Sequence, residues 1–163
     1  MSVVALPSPP ELLATVRGVL AQRAGEPGAL LPILHDLQDA LGYIPSHVVP
    51  EIANALNLSR AEVHGVVTYY HHFRDQPAAR HVVQICRAEA CQAIGAEALL
   101  AHARQHLGCD AHGTSSDGTV TLEPAYCLGL CASSPAMTLD DEPHARVTPQ
   151  AFDALIAQAR SAA

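Results

Sequence analysis

The spacing of apolar positions changes character halfway along the chain. Up to about residue 76 these positions recur at three- and four-residue intervals, the period that lines one face of a helix. Leu12, Leu13, Val16, Val19 and Leu20 follow Ser8-Pro9-Pro10-Glu11, which reads as a capping box with prolines tolerated in the first turn. Gly25-Glu26-Pro27-Gly28 ends this helix. A second stripe, Leu30, Ile33, Leu34, Leu37 and Leu41, stops at Gly42, with Pro45 just beyond. Ser46 is placed to cap a third helix through Val49, Ile52, Ala55 and Leu56. Ser59-Arg60-Ala61-Glu62 is a second capping box, opening a helix with Val63, Val66, Val67 and Tyr70 on one face, and Arg74-Asp75-Gln76-Pro77 breaks the pattern.

From His81 the period shortens. HVVQIC is β-branched and short, as a buried strand is, and Ala93, Ala96, Leu100, Ala103 and Leu107 then make a helical stripe closed by Gly108. Ser116-Asp117-Gly118 is a turn, TVTLE alternates as a strand, AMTLD is another, and DDEP turns the chain toward HARVT. Thr148-Pro149 caps a last helix with Phe152, Leu155, Ile156 and Ala159. Strand, helix, two or three strands and helix suit a small α/β sheet with helices against it. The predicted domains are a helical one over residues 1–76 and an α/β one over 77–163.

A chain of 163 residues with 49% hydrophobic content can bury a real core. Lys+Arg 9 against Asp+Glu 16 gives a net charge of -7, with no basic stripe to follow a phosphate backbone, so nucleic acid is not an expected partner. No apolar run approaches the eighteen or so residues of a membrane span, and the start lacks the charged region of a secretory signal. The expected location is the cytoplasm. Five cysteines in that reducing compartment favour a metal site over a disulfide framework, and the odd count suggests four plus one.

Cys86 and Cys91 enclose four residues, Cys127 and Cys131 enclose three, and both pairs fall at expected strand ends. Four converging thiols fit tetrahedral zinc or an iron-sulfur cluster. Structural zinc knuckles usually enclose two to four residues, often two, and this chain has no Cys-x-x-Cys. The absence of that motif also disfavours thioredoxin-style exchange. A two-iron cluster spreads its ligands over a wider rhomb, which suits longer loops. Its charge, formally about -2 with four thiolates, calls for nearby backbone N–H donors. Ala88, Ala90 and Gly129 are small enough to admit them, Leu128 and Leu130 can exclude water, and a helix N-terminus at Cys91 would favour its thiolate. Arg87 offers compensating charge or is a solvated surface residue.

GALLPILHDLQDALGYIP (28–45), AEVHGVVTYYHHF (61–73), CRAEAC (86–91) and DGTVTLEPAYCLGLC (117–131), with nearby Pro135, together resemble the thioredoxin-like [2Fe-2S] subunit family of NADH dehydrogenase. NAD-linked hydrogenases and soluble NAD-dependent formate dehydrogenases also use this family. The likeness covers residues 11 to 160, and HDLQDALGYIP, HGVVTYYHHF and CRAEACQ most resemble the gamma subunit of molybdenum-containing formate dehydrogenases. It implies an α/β fold: an N-terminal helical bundle for partner docking, then a thioredoxin-like [2Fe-2S] ferredoxin domain. It further implies that Cys86, Cys91, Cys127 and Cys131 ligate one [2Fe-2S] cluster. FMN and NAD would sit on a directly contacting subunit, and the molybdenum cofactor on the catalytic subunit of the same complex. Ala132 departs from the family, which often has glycine after the last ligand.

The remaining chemistry-bearing residues read more plainly. Cys109 has no partner at motif spacing and reads as a small buried or semi-exposed thiol rather than a fifth ligand. His71 and His72 read as helix-end residues, better placed at a subunit contact than on a metal, since four cysteines fill the site. Tyr69, Tyr70 and Phe73 have core-like spacing, and Asp140-Asp141-Glu142 gathers too few oxygens for calcium. Nothing resembles a phosphate loop, a Ser-His-Asp set or a carboxylate pair, so no substrate site is expected on this chain. The rival readings are a structural zinc domain for assembly and a cluster-bearing redox sensor.

Overall fold

The computed structural model describes residues 8–161, and the chain divides between Pro77 and Ala78 into two units. Helices α1 (Pro9–Arg23), α2 (Leu30–Leu41), α3 (Val49–Leu56) and α4 (Arg60–Tyr69) make up the first. Their ends follow the local sequence. The Glu11 carboxylate accepts hydrogen bonds from the Ser8 N–H at 2.9 Å and the Ser8 hydroxyl at 2.6 Å. At α4 the exchange is reciprocal: Ser59 N–H donates to Glu62 Oε2 at 2.8 Å, and Glu62 N–H to Ser59 Oγ at 3.2 Å. Gly42 closes α2 with φ of 82°, a left-handed conformation that a side chain would oppose.

One helix starts later than expected. Ser46–Val48 is a 3-10 turn, and α3 begins at Val49. Pro50 explains this, because a helix capped at Ser46 would need its N–H for a backbone hydrogen bond, whereas at the second position of α3 none is required. Val16, Ile33, Leu34, Leu37, Ile52 and Val63 fill the core, with Ala53 buried in place of the solvent-facing Ala55. Phe73 is also buried. Tyr69 and Tyr70 instead are 74% and 43% exposed, so α4 buries only its valine face.

Gln38 is a buried polar residue that periodicity does not reveal. Its Nε2 donates to the His72 carbonyl at 2.7 Å and its Oε1 accepts from the Arg74 N–H at 2.7 Å, tying the chain after α4 to α2. Exchange for leucine keeps the volume but deserts a buried donor and a buried acceptor. Gln38→Leu is therefore expected to cost about 2 kcal/mol, read as a lower denaturant midpoint at unchanged slope.

The second unit contains β1 (His81–Cys86), α5 (Glu89–Ala93), α6 (Ala96–Leu107), β2 (Gly113–Thr114), β3 (Val120–Ala125), β4 (Ala136–Leu139), β5 (Glu142–Ala145) and α7 (Pro149–Ser161). The sheet order is β2-β3-β1-β4-β5. β1 and β3 are parallel, with Cys86 level with Ala125, and the other pairings are antiparallel. Ile85, Leu122, Met137, Phe152 and Ile156 are fully buried in its core. The sheet is thus mixed, with helices joining and following its strands, as an α/β thioredoxin-like domain requires.

Three local features differ from the sequence pattern. The stripe from Ala93 is not one helix: Ile94 is 63% exposed, Gly95 has φ of 99°, and α6 begins at Ala96. Strand β2 is only two residues long and depends on pairing with β3, so it has no period to detect. Strand β5 begins at Glu142 because Asp140 and Asp141, at φ 52° and 66°, form a two-residue hairpin turn. Asp140 has a structural use there: its carboxylate accepts from the Val82 N–H at 2.9 Å and meets His81 Nδ1 at 2.7 Å. Among the described residues no helix is long and apolar enough to cross a membrane.

Candidate metal centre

The four expected thiols meet at the C-terminal ends of the two parallel strands. Cys86 is the last residue of β1, and the next N–H, that of Arg87, donates to the Ala125 carbonyl at 2.7 Å. That bond pins the departing chain beside the end of β3. The backbone then turns into α5, with Cys91 facing inward; Cys86 and Cys91 are 2% and 1% exposed. The second pair lies in the loop after β3, where Cys127 and Cys131 are exposed and their sulfurs are 3.9 Å apart. Cys91 Sγ lies 3.4 Å from the Ser134 hydroxyl, which itself donates to the Cys131 carbonyl at 2.9 Å, linking the inner pair to the outer loop. Ser134 is a neighbour that motif spacing did not reveal.

All five cysteines are free, and 3.9 Å is nearly twice a disulfide bond length. The inner thiols pack with Ala96 and Ala136, and Ala88, Leu128 and Leu130 lie against them. The small residues leave space close to sulfur, and the half-buried Leu128 and Leu130 cover part of the inner pair.

Electrostatics distinguishes the inner and outer sulfurs. Burial pushes the Cys86 thiol up, but the N–H groups of Ala88, Leu128 and Cys127 and the Cys91 thiol donate to it and together bring it below the ordinary thiol value. Cys131 moves the other way: its hydrogen bond with Cys127 and then the charge there push its thiol up, with burial and the more distant Cys91 and Cys86 adding to the effect. Backbone amides thus favour the anionic form of one sulfur, while its outer neighbour is held toward the neutral thiol. Four thiolates at this place need a cationic centre between them.

The loop backbone reinforces this reading. Gly129 has φ of 79°, which glycine adopts freely, but Cys127 has φ of 98°, where a side chain is disfavoured. A cysteine retained where glycine would be more comfortable points to a task for its sulfur. This turn also brings the Cys127 and Leu128 amides to Cys86.

A single tetrahedral zinc ion, with Zn–S bonds near 2.3 Å, would draw all sulfur pairs to within about 3.8 Å. Among the described residues the potential ligand atoms that gather within 4.8 Å of one another belong to His102, His106 and Asp153, and no three of the thiols do so. The wider spread favours a [2Fe-2S] cluster over one ion, whereas four thiolates with amide donors beside them suit either. Helix α5 has only five residues, so individual N–H donors matter here more than a helix dipole. Arg87 is engaged by Glu97 at 2.8 and 3.1 Å, so its charge is already paired. Cys109 packs against the core of the second unit, where burial, then the charge of Asp110, push its thiol up. The His72 ring lies tilted beside His35 and edge-on to Phe73, with ring centroids 5.1 and 5.7 Å away.

Comparison with known proteins places the chain in a family. The sequence model of the thioredoxin-like [2Fe-2S] ferredoxin family matches residues 16–160. The chain is 32% identical over 128 residues to an NADH-quinone oxidoreductase subunit of Pseudomonas aeruginosa, covering 78% of this chain and 77% of that one. The corresponding protein of Rhizobium meliloti, also a subunit of NADH-quinone oxidoreductase, is 34% identical over 134 residues, covering 82% and 80%. Among solved structures, an NAD+-reducing [NiFe]-hydrogenase in the air-oxidised state has a TM-score of 0.66 over 81% of this chain. At 23% identity that likeness is one of fold, and this chain spans only 23% of the hydrogenase chain.

Proposed function

Since the chain belongs to the thioredoxin-like [2Fe-2S] ferredoxin family and so carries a [2Fe-2S]-binding domain, we propose that Cys86, Cys91, Cys127 and Cys131 hold its cluster. In this reading the chain is an electron-transfer subunit of an NAD-linked oxidoreductase complex. The observation that carries it is the joining of two buried and two exposed thiols at one sheet end, with backbone amides directed at the innermost sulfur. When bound, a [2Fe-2S] cluster takes up and gives back one electron.

The protein's part is to set the surroundings. Cys86 and Cys91 anchor the inner side on β1 and α5. Ala88, Cys127 and Leu128 stabilise negative charge at Cys86 through their N–H groups, while Leu128 and Leu130 limit water. Cys127 and Cys131 bring the outer side to the surface, close in the chain to Tyr126, which is 64% exposed. Exposed apolar surface beside two exposed sulfurs suits close approach of a partner. That partner is a flavin- and NAD-binding subunit, because hydride chemistry with NAD moves two electrons and a flavin must divide them. The helical unit, residues 1–76, supplies docking surface for the complex, and the exposed Tyr69 and Tyr70 belong to it. The chain works in the cytoplasm, whose reducing conditions keep cysteines available as metal ligands.

Within this class we assign the chain to an NAD-dependent formate dehydrogenase with a molybdenum-containing catalytic subunit, an assignment supported by HDLQDALGYIP, HGVVTYYHHF and CRAEACQ. An affinity-tagged chain expressed in its native cells is expected to bring down flavin and molybdenum in fixed ratio and to reduce NAD+ with formate. Recovery with nickel and hydrogen-dependent NAD+ reduction, or with quinone-reducing membrane subunits, would overturn the formate assignment. A free monomer in the extract would overturn the subunit reading itself.

A further inference from the structure

We propose that His102, His106 and Asp153 form a second metal site, for one borderline divalent cation such as Zn2+, on the face where α6 meets α7. His102 and His106 are four residues apart on α6, so one helical turn places their rings on the same side. Asp153 projects from α7 between them. Its Oδ1 lies 2.7 Å from His102 Nε2 and 3.0 Å from His106 Nδ1, and the three ligand atoms all lie within 4.8 Å of one another. Nitrogen and oxygen ligands at about 2.0–2.2 Å from a zinc ion are separated by distances of this order, so little movement is needed to admit the ion.

The ring orientations are fixed by packing. Phe152, fully buried, meets the His102 ring edge-on at 6.0 Å and 85°, and the His106 ring at 5.9 Å and 89°. An apolar wall thus stands behind the imidazoles and a carboxylate in front. Two imidazoles and one carboxylate select zinc, nickel or copper over magnesium or calcium, which prefer oxygen. The three side chains are each about one-third exposed, at 32%, 32% and 40%, which leaves the remaining coordination positions open to water. A bound ion would clip the C-terminal helix to α6. This site is separate from the four thiols and does not depend on their occupant.

Equilibrium dialysis of the full-length protein, as purified with its cluster, against micromolar Zn2+ tests the proposal. The expected result is one zinc per chain in addition to iron, with affinity at least tenfold lower in both His106→Gln and Asp153→Asn and the visible absorbance of the cluster unchanged. Cadmium in place of zinc is expected to give a 113Cd resonance in the range of nitrogen and oxygen ligation. Absence of zinc binding, undiminished binding by both variants, or a resonance in the thiolate range would overturn the site. His106 lies at the surface, so its variant keeps the test independent of any folding defect in the other.

Discussion

Cys127→Ser is expected to purify with at least a tenfold loss of cluster iron and of visible absorbance, while keeping the far-ultraviolet signature of its helices. Cys127 is exposed, and its removal deletes no core contact. What it does remove is one of four sulfurs, and a serine oxygen is a harder and poorer ligand for iron. Because Cys127 has φ of 98°, Cys127→Gly provides a control. It loses the same sulfur but relieves a backbone conformation worth about 1 kcal/mol, so the cluster-free glycine form is expected to be the more stable of the two. Wild-type iron content in either variant would remove Cys127 from the ligand set. Equal loss of iron with the reverse order of stability would contradict the strained loop but leave the ligand in place.

Phe152→Ala is expected to have the largest effect on stability, about 3–5 kcal/mol. Phe152 is fully buried between α6 and the sheet core, and its loss leaves a cavity that the rigid surroundings fill only in part. It also removes the wall behind His102 and His106. The second unit should therefore unfold at a clearly lower denaturant concentration, followed by loss of the cluster's visible absorbance. A change under about 1 kcal/mol would mean that α7 does not hold this unit together.

Much of this architecture is legible locally. Both capping boxes, Gly42, the HVVQIC strand and the α7 stripe carry their own signals, because caps and periodic burial depend on near neighbours. The points of difference have other origins. Pro50 moved the start of α3 through a missing N–H, Gly95 interrupted an otherwise continuous stripe, and β2 exists only by pairing with β3. Tyr70 has helical spacing in the sequence, but α4 ends at Tyr69 and the extended backbone at Tyr70 takes it off the buried face.

The same contrast holds at the candidate sites. Cysteine spacing singles out Cys86 with Cys91 and Cys127 with Cys131 as pairs at expected strand ends, and the fold brings the two pairs to one end of the sheet. Spacing does not disclose which sulfurs are buried, the amides directed at Cys86, or Ser134 beside Cys91. Those depend on a loop that returns to the sheet about forty residues later. Nor could periodicity join Asp153 to His102 and His106, which meet only because α7 packs on α6.

The most direct measurement is the metal and sulfide content of protein purified without exposure to air. About two irons and two acid-labile sulfides per chain, bound at the thiols, are predicted. Stoichiometric zinc without iron or sulfide, lost when Cys86, Cys91, Cys127 or Cys131 is replaced by serine, would contradict the account.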